Sequence, residues 1–298
     1  MNVTLENGKP VRGDLIKSVI LRSDATPIPS TVEAEIRVDA DMRRQLAEGK
    51  RFYAGKDGDA YRIINDPYSA GGYYQGGHDM GAVKLIGVLD CCHAVSFVRS
   101  TAIIKERATL SQIYRACGAT IKAVDADFPV PRFVCPIGQP PTFPIALALQ
   151  EAGGIVRWKS GKLRYFRLAD LFTQKTVMSI RSESAEDVGS GFSERPEIPC
   201  FYSVDDAGQI IFGNRDKART ARFVPGKNIQ QLRNMTRCLV KRKIAQVGFT
   251  PAIAAGDLID VVGGAPLAVV TAAHVYQSGT DGSGSNQYSK LWLSSLEG

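Results

Sequence analysis

A chain of 298 residues, 44% hydrophobic and 22% charged, has the composition of a folded globular protein and the length for two or three domains. No apolar run approaches about 18 residues, and the opening MNVTLENGKPVRG lacks a basic stretch followed by an apolar one, so neither a membrane-spanning segment nor a signal peptide is expected. The formal charge of +7 is spread along the chain, unlike the tight basic patch of a nucleic-acid binder, and six irregularly spaced cysteines do not make a disulfide framework.

Taken in chain order, the first hundred residues read as strands. LIKSVILRS and STVEAEIRVD are rich in β-branched residues and partly alternate. ADMRRQLAEG, at 40–49, is a short polar helix closed by Gly49. DAYRIIND and AVKLIGVLDCCHAVSF are further strands. Between them lies PYSAGGYYQGGHDMG, 67–81, a loop whose glycines oppose a regular element and whose tyrosines, Tyr68, Tyr73 and Tyr74, mark a packing surface.

The middle has another character. ATLSQIYRACG puts Leu110, Ile113, Tyr114 and Cys117 on one helical face and stops at Gly118, and ATIKAVD follows as a strand. PTFPIALALQEAGGIVRWKSGKLRYF, from Pro141 to Phe166, is a helix run into a hairpin. Thr142 is its N-cap, Pro144 sits in the first turn, and Gly153-Gly154 ends it. Residues 100–170 thus form an α+β module. The polar stretch 181–200 is a linker or long loop. CFYSVD, GQIIFG, TRCLVKRKIAQV, DLIDVVGG, LAVVTAAHVY and SKLWLSSLE then read as strands.

The two β regions share an ordered pattern. GDAYRIINDPYS and GAPLAVVTAAHVYQS each pass from a glycine turn into a strand with paired Ile or Val, then a tyrosine and a serine. Each continues through a glycine-rich loop into a strand that begins alike, VKLIGVL and SKLWLSS. The fold class expected is mainly β with an α+β insert: two small β-barrel domains in tandem, at 1–98 and 200–298, flanking a module at 99–180 and a linker at 181–199.

No catalytic constellation stands out. DCCHAV is the one place where Cys and His meet; read as a strand, it puts Cys91 and His93 on one face and Cys92 on the other, which does not converge on a metal. His274 reads as a hydrogen-bonded residue near a strand end. There is no G-x-S-x-G, H-E-x-x-H or P-loop, and Glu33, Glu35, Asp39 and Asp41 alternate as a solvated strand face does. No catalytic, cofactor or metal residue is assigned. NRDKARTAR at 214–222 is the densest basic cluster; it reads first as solvated strand faces and loops, and second as a contact with an acidic protein surface or passing DNA, for which Arg215, Lys217, Arg219 and Arg222 are the candidate subunit or partner residues.

Three segments resemble the central hub of phage tail baseplates, in the late-control-protein D family, with relatives among contractile secretion-system spike proteins. ERATLSQIYRACGATIKA looks like that family's helix-then-strand unit after its first barrel. The helix and hairpin of 140–166 resemble its helix ending in Ala-Gly followed by a hairpin ending in Gly-Lys-Leu. AGDLIDVVGGAPLAVVTAAHVYQS with YSKLWLS looks like its last barrel. Where the family often carries Q-x-x-E-S, this chain keeps Gln139 and lacks the acidic and serine positions.

The resemblance implies a structural virion protein without enzymatic activity: a homotrimer whose two barrels per chain make a pseudo-sixfold ring. Such a ring adapts a sixfold tail tube to a threefold spike around a channel for DNA. It implies tail tube, spike and other baseplate or tape-measure proteins as partners, assembly in a host cytoplasm and no cofactor. The 67–81 loop, with Tyr68, Tyr73 and Tyr74, and the 181–200 stretch are too long for simple turns and are expected to order against a neighbouring subunit or tail component. Two other classes stay open on the residues: a carbohydrate-binding tail-tip module that stacks sugars on those tyrosines, and a cell-wall hydrolase.

Overall fold

Alternating β-branched residues turn one face of each early strand inward, as in STVEAEIRV, where Val32, Ala34, Ile36 and Val38 are buried while Thr31, Glu33, Glu35 and Arg37 lie on the other face. The computed structural model describes residues 1–75, 78–188, 198–216, 219–279 and 284–297, with the main chain alone for 70–75, 78–80 and 183. Strands β1 (Val3–Leu5), β2 (Ile16–Asp24), β3 (Ser30–Val38), β4 (Arg51–Ala54), β5 (Asp59–Asn65), β6 (Tyr68–Gln75) and β7 (His78–Leu89) pair in the order β1-β4-β5-β7-β3-β2. Strand β6 continues the line of β5 along β7. Helix α1 (Ala40–Gln45) follows β3, and its N-terminus is capped by Asp39, whose carboxylate accepts from the Met42 N–H at 2.8 Å.

Two expectations for this region are corrected. Residues 67–81 contain β6 and the start of β7, because pairing with β7 supplies the order that their glycines withhold locally. Asp90–Ser96 is a 3-10 helix and not a strand. Arg62 Nε donates to Asp90 at 2.7 Å and anchors the chain where it leaves the sheet.

The middle module begins with β8 (Ile103–Thr109), α2 (Leu110–Ala116), β9 (Val124–Ala126) and β10 (Pro129–Cys135). Its α2 opens on a reciprocal cap: the Thr109 hydroxyl accepts from the Gln112 N–H, and the Gln112 side chain accepts from the Thr109 N–H. Then come α3 (Thr142–Ala152), the hairpin β11 (Gly154–Lys159) and β12 (Lys162–Arg167), and α4 (Leu168–Leu171). Helix α3 starts one residue earlier than expected: Pro141 holds the cap position and Thr142 is already helical. Gly153 ends it in the left-handed region at φ +61°, as a residue without Cβ can.

The rest of the chain adds β13 (Thr176–Arg181), β14 (Ala185–Asp187), β15 (Cys200–Val204), β16 (Ile210–Phe212), β17 (Ala221–Phe223), α5 (Ile229–Thr236), β18 (Cys238–Gly248), β19 (Leu258–Val262), β20 (Leu267–Gln277) and β21 (Asn286–Glu297). Residues 185–187, expected in a linker, pair with β18. Helix α5, absent from the strand reading of this region, is capped reciprocally by Asn228 and Gln231 and packs Leu232 and Met235 against Phe201 beneath it.

The carboxy-terminal strands pair in the order β13-β19-β20-β21-β18-β14. This is the amino-terminal order repeated strand for strand. The match extends to an irregularity: the register slips between Ile63 and Asn65 on β5, and between Val269 and Thr271 on β20. One pairing differs in sense, since β13 runs parallel to β19 whereas β1 is antiparallel to β4. The segments 60–65 and 267–272, and likewise 83–89 and 289–295, therefore occupy equivalent places. An antiparallel ladder between β2 and β20, from Ser18 opposite Gln277 to Asp24 opposite Thr271, joins the halves into one 13-stranded sheet. Among the described residues no pairing closes either half into a barrel. The molecule is thus mainly β with an α+β insert, and no described helix is long and apolar enough to cross a membrane.

One core runs from the amino-terminal strands into the middle module, joining Ile36, Phe52, Tyr61 and Leu85 to Ile113, Tyr114, Ile145 and Leu163. The Tyr114 hydroxyl donates to the Pro27 carbonyl at 2.9 Å, so α2 is tied to the β2–β3 turn. Within this core Gly87 on β7 leaves room for an aromatic pair: a Cβ there would stand 2.6 Å from Phe52 Cε1 and 3.2 Å from Tyr61 Cβ. Gly87→Val is expected to lower stability by about 1–3 kcal/mol through overpacking, read as a lower denaturant midpoint with an unchanged slope.

Candidate functional site

Buried polar groups, the raw material of a catalytic site, gather at a few places in the molecule. A cleft of about 160 Å³ opens between the β4–β5 turn, the β11–β12 turn and residues 251–254, lined in part by Ser30, Asp59, Tyr61, Trp158, Lys159 and His274. Burial raises the carboxyl pKa of Asp59 above its ordinary value. His274 Nε2 lies 2.9 Å from the Ile253 carbonyl, which can only accept, so Nε2 carries the proton. Nδ1 then accepts from the Ser289 hydroxyl at 2.8 Å. Ser289 is fully buried and also accepts from the Thr250 N–H at 2.9 Å. This Ser–His pair presents no exposed nucleophile; it fastens the 250–253 segment to the β20–β21 hairpin. Burial lowers the pKa of His274.

Cys91, Cys92 and His93 sit in the 3-10 helix, with the two sulfurs 3.8 Å apart. The Cys91 thiol and burial push the Cys92 thiol upward, away from a reactive thiolate. Among the described residues no group of three or more His, Cys, Asp or Glu is placed to hold a metal.

A second buried cluster explains the helix and hairpin of 140–166. Asp257, in the turn before β19, accepts from Arg157 Nη1 at 3.0 Å and from Lys159 Nζ at 2.7 and 2.8 Å. Its Oδ2 also accepts from the Ala254 N–H at 2.9 Å. Burial pulls the Arg157 guanidinium below its ordinary pKa while Asp257 pushes it back up. The other side of the same hairpin, through Val156 and Leu163, lies in the amino-terminal core. The hairpin therefore grips both halves of the sheet at once.

The residues proposed from sequence for contacts fall on separate elements, the tyrosines on β6 and the described arginines on and around β16 and β17. Tyr68 begins β6, is 36% exposed, and carries the Arg43 guanidinium 3.8 Å above its ring. Tyr73 and Tyr74 pair along β7 opposite Met80 and Asp79, and their side chains lie outside the described residues. Arg215 stacks on Phe212 at 4.4 Å. Arg219 is turned inward, its side chain 3% exposed, bonded to the Ile198 carbonyl at 3.0 Å and to Asp216. Arg222 is exposed on β17, and Lys217 lies outside the described residues. Of the described members of the cluster, Arg219 is the one turned away from solvent.

Sequence reading missed two sheet edges. Among the described residues, β14 has β18 on one side and no strand on the other, and the line from Asn65 to Ser69 has β7 on one side and no strand on the other. The polar 181–200 stretch and the glycines of 67–81 hid both.

Two substitutions test the buried groups. Asp257→Ala leaves the buried Arg157 guanidinium without its carboxylate, while Lys159, 35% exposed, turns to solvent, and is expected to cost about 3 kcal/mol, measured by equilibrium denaturation. His274 has a folded-state pKa below its unfolded value, so its contribution is complete above about pH 6.5 and is lost as pH falls below that, where the unfolded chain binds the extra proton. The wild-type melting temperature is expected to drop more between pH 7 and pH 5 than that of His274→Gln.

No protein-family model and no curated protein matches the sequence. Solved structures do match in fold. A tail protein from Neisseria meningitidis MC58 superposes with a TM-score of 0.64 at 12% identity, over 99% of this chain and 95% of that one. The 43 kDa tail protein of prophage MuSo2 from Shewanella oneidensis gives 0.60 at 13%, over 98% and 95%. The E. coli c3393 protein, a component of the type VI secretion system, gives 0.56 at 7%, over 95% and 74%. Along nearly its whole length, the chain has the fold shared by these phage tail and type VI secretion proteins.

Proposed function

We propose that this chain is a structural protein of a phage-type tail: the central hub of the baseplate, a homotrimer in which two sheet halves per chain make a ring of six similar units. The observation that carries this reading is the repeated six-strand order with its matching register slip, joined within the chain by the β2–β20 ladder. A chain that supplies two equivalent units gives sixfold-like geometry toward a tail tube and true threefold geometry toward a spike. The domains are 1–98, 99–180 and 200–298, with β13 and β14, from the end of the middle module and the linker, adding to the sheet of the last. Tail tube, spike and other baseplate or tape-measure proteins are the partners, DNA passes through the central channel without specific contacts, and the protein resides in the virion tail. Its role lies in surfaces and not in catalysis, which fits the buried, structural use of Ser289, His274 and Asp257. Arg43 already occupies the Tyr68 ring, which disfavours sugar stacking there.

Native mass measurement tests the reading. The expected species is three times the 32.3 kDa chain mass. A particle that stays monomeric at every concentration, with tube or spike protein added, overturns it.

A further inference from the structure

The two open sheet edges and the internal repeat can be read together. Register fixes the equivalences. Ile20 lies opposite Glu33 on β3, and Glu186 lies opposite Ile244 on β18. Glu33 in turn faces Ile86, and Ile244 faces Trp292, at the equivalent register slips of the two halves. Glu186 on β14 is thus the counterpart of Ile20 on β2, and Asp187 of Leu21. By the same slips, Tyr68 is the counterpart of His274 and Ser69 of Val275.

Within the chain, Ile20 pairs with Val275 and Leu21 with His274. We propose that the counterparts make the same ladder between chains: β14 of one copy adds antiparallel to the Asn65–Ser69 edge of the next, with Glu186 opposite Ser69 and Asp187 opposite Tyr68. The inference rests on the ring reading above and names the surface and the partner, a second copy of this chain. Each contact is heterologous, so alternating intrachain and interchain ladders close head to tail into a ring.

The main chain is directed for this. Val188 N–H donates to the Arg242 carbonyl at 2.9 Å, so residues 186 and 188 bond toward β18 and Asp187 presents its N–H and C=O outward. On the other edge the Pro67 carbonyl accepts from the Lys84 N–H at 3.0 Å. The missing donor of the proline therefore falls on the β7 side, and the outward groups of Asp66 and Tyr68 are intact. Proline here does not blunt the edge as it would one position away. Charge is compatible: Asp187 pairs with Lys243 of its own chain at 2.8 Å but its side chain stays 81% exposed, and its proposed neighbour Tyr68 carries the Arg43 guanidinium.

The test uses the full chain. Asp187→Pro removes the outward N–H and is expected to abolish the trimer, while Asp187→Ala, which keeps it, retains the trimer. Glu186 and Ser69 would form a non-hydrogen-bonded antiparallel pair, with Cα atoms about 4.5 Å apart, within disulfide reach. Oxidised Glu186→Cys/Ser69→Cys protein is expected to run as linked dimers and trimers on a non-reducing gel, and either single variant is not. If wild type is trimeric but Asp187→Pro stays trimeric and the double variant does not cross-link, the ring stands and this edge assignment falls. If wild type never leaves the monomer, with tube or spike protein present, the ring reading itself falls and takes this inference with it.

Discussion

The architecture depends on one ladder, the antiparallel pairing of β2 with β20. It brings Ser18–Asp24 beside Thr271–Gln277, segments from opposite ends of the chain. Bringing such distant segments together costs loop-closure entropy, though that cost grows only slowly with length. Side-chain contacts reinforce the ladder: Thr271 Oγ1 donates to Asp24 at 2.6 Å, and Ser23 Oγ accepts from the Ala255 N–H at 3.0 Å. Without this pairing the two halves would be held to each other only through the middle module. With it, the repeat becomes a fixed geometric relation, and the edges left over acquire a defined direction.

The middle module makes that relation rigid. Its hairpin puts Val156 and Leu163 into the amino-terminal core and reaches out with Arg157 and Lys159 to Asp257 of the carboxy-terminal half. A buried ion pair adds little net stability over an apolar contact, but its directional hydrogen bonds tolerate few alternative placements. Here that directionality is spent on the orientation of two sheet halves.

The position of polar groups follows the same logic. Ser289 and His274 bond each other and the main chain of 250–253 in a site without solvent access to the serine. A pair that would read as nucleophile and base in an open cleft is, in this setting, a strut. Burial that lowers the pKa of His274 also keeps it neutral and able to accept from Ser289.

Much of this was legible from sequence. Capping residues, glycine stops and β-branched alternation marked α2, the end of α3, the β11–β12 hairpin and most strands, because each depends on neighbours within a few residues. The ordered likeness of GDAYRIINDPYS and GAPLAVVTAAHVYQS marked the repeat. Other features depended on partners distant in the chain. The glycines of 67–81 gave no local reason for a strand, and β6 exists because β7 pairs with it. The polar residues 185–187 became a strand only beside β18. Arg219 left the basic cluster because the Ile198 carbonyl was within reach to bond it inward. Sequence by itself determined the local elements and their duplication, since backbone sterics and short-range hydrogen bonds decide those. Tertiary structure alone decided which edges remain open and which charges are buried, since both are set by contacts between residues far apart along the chain.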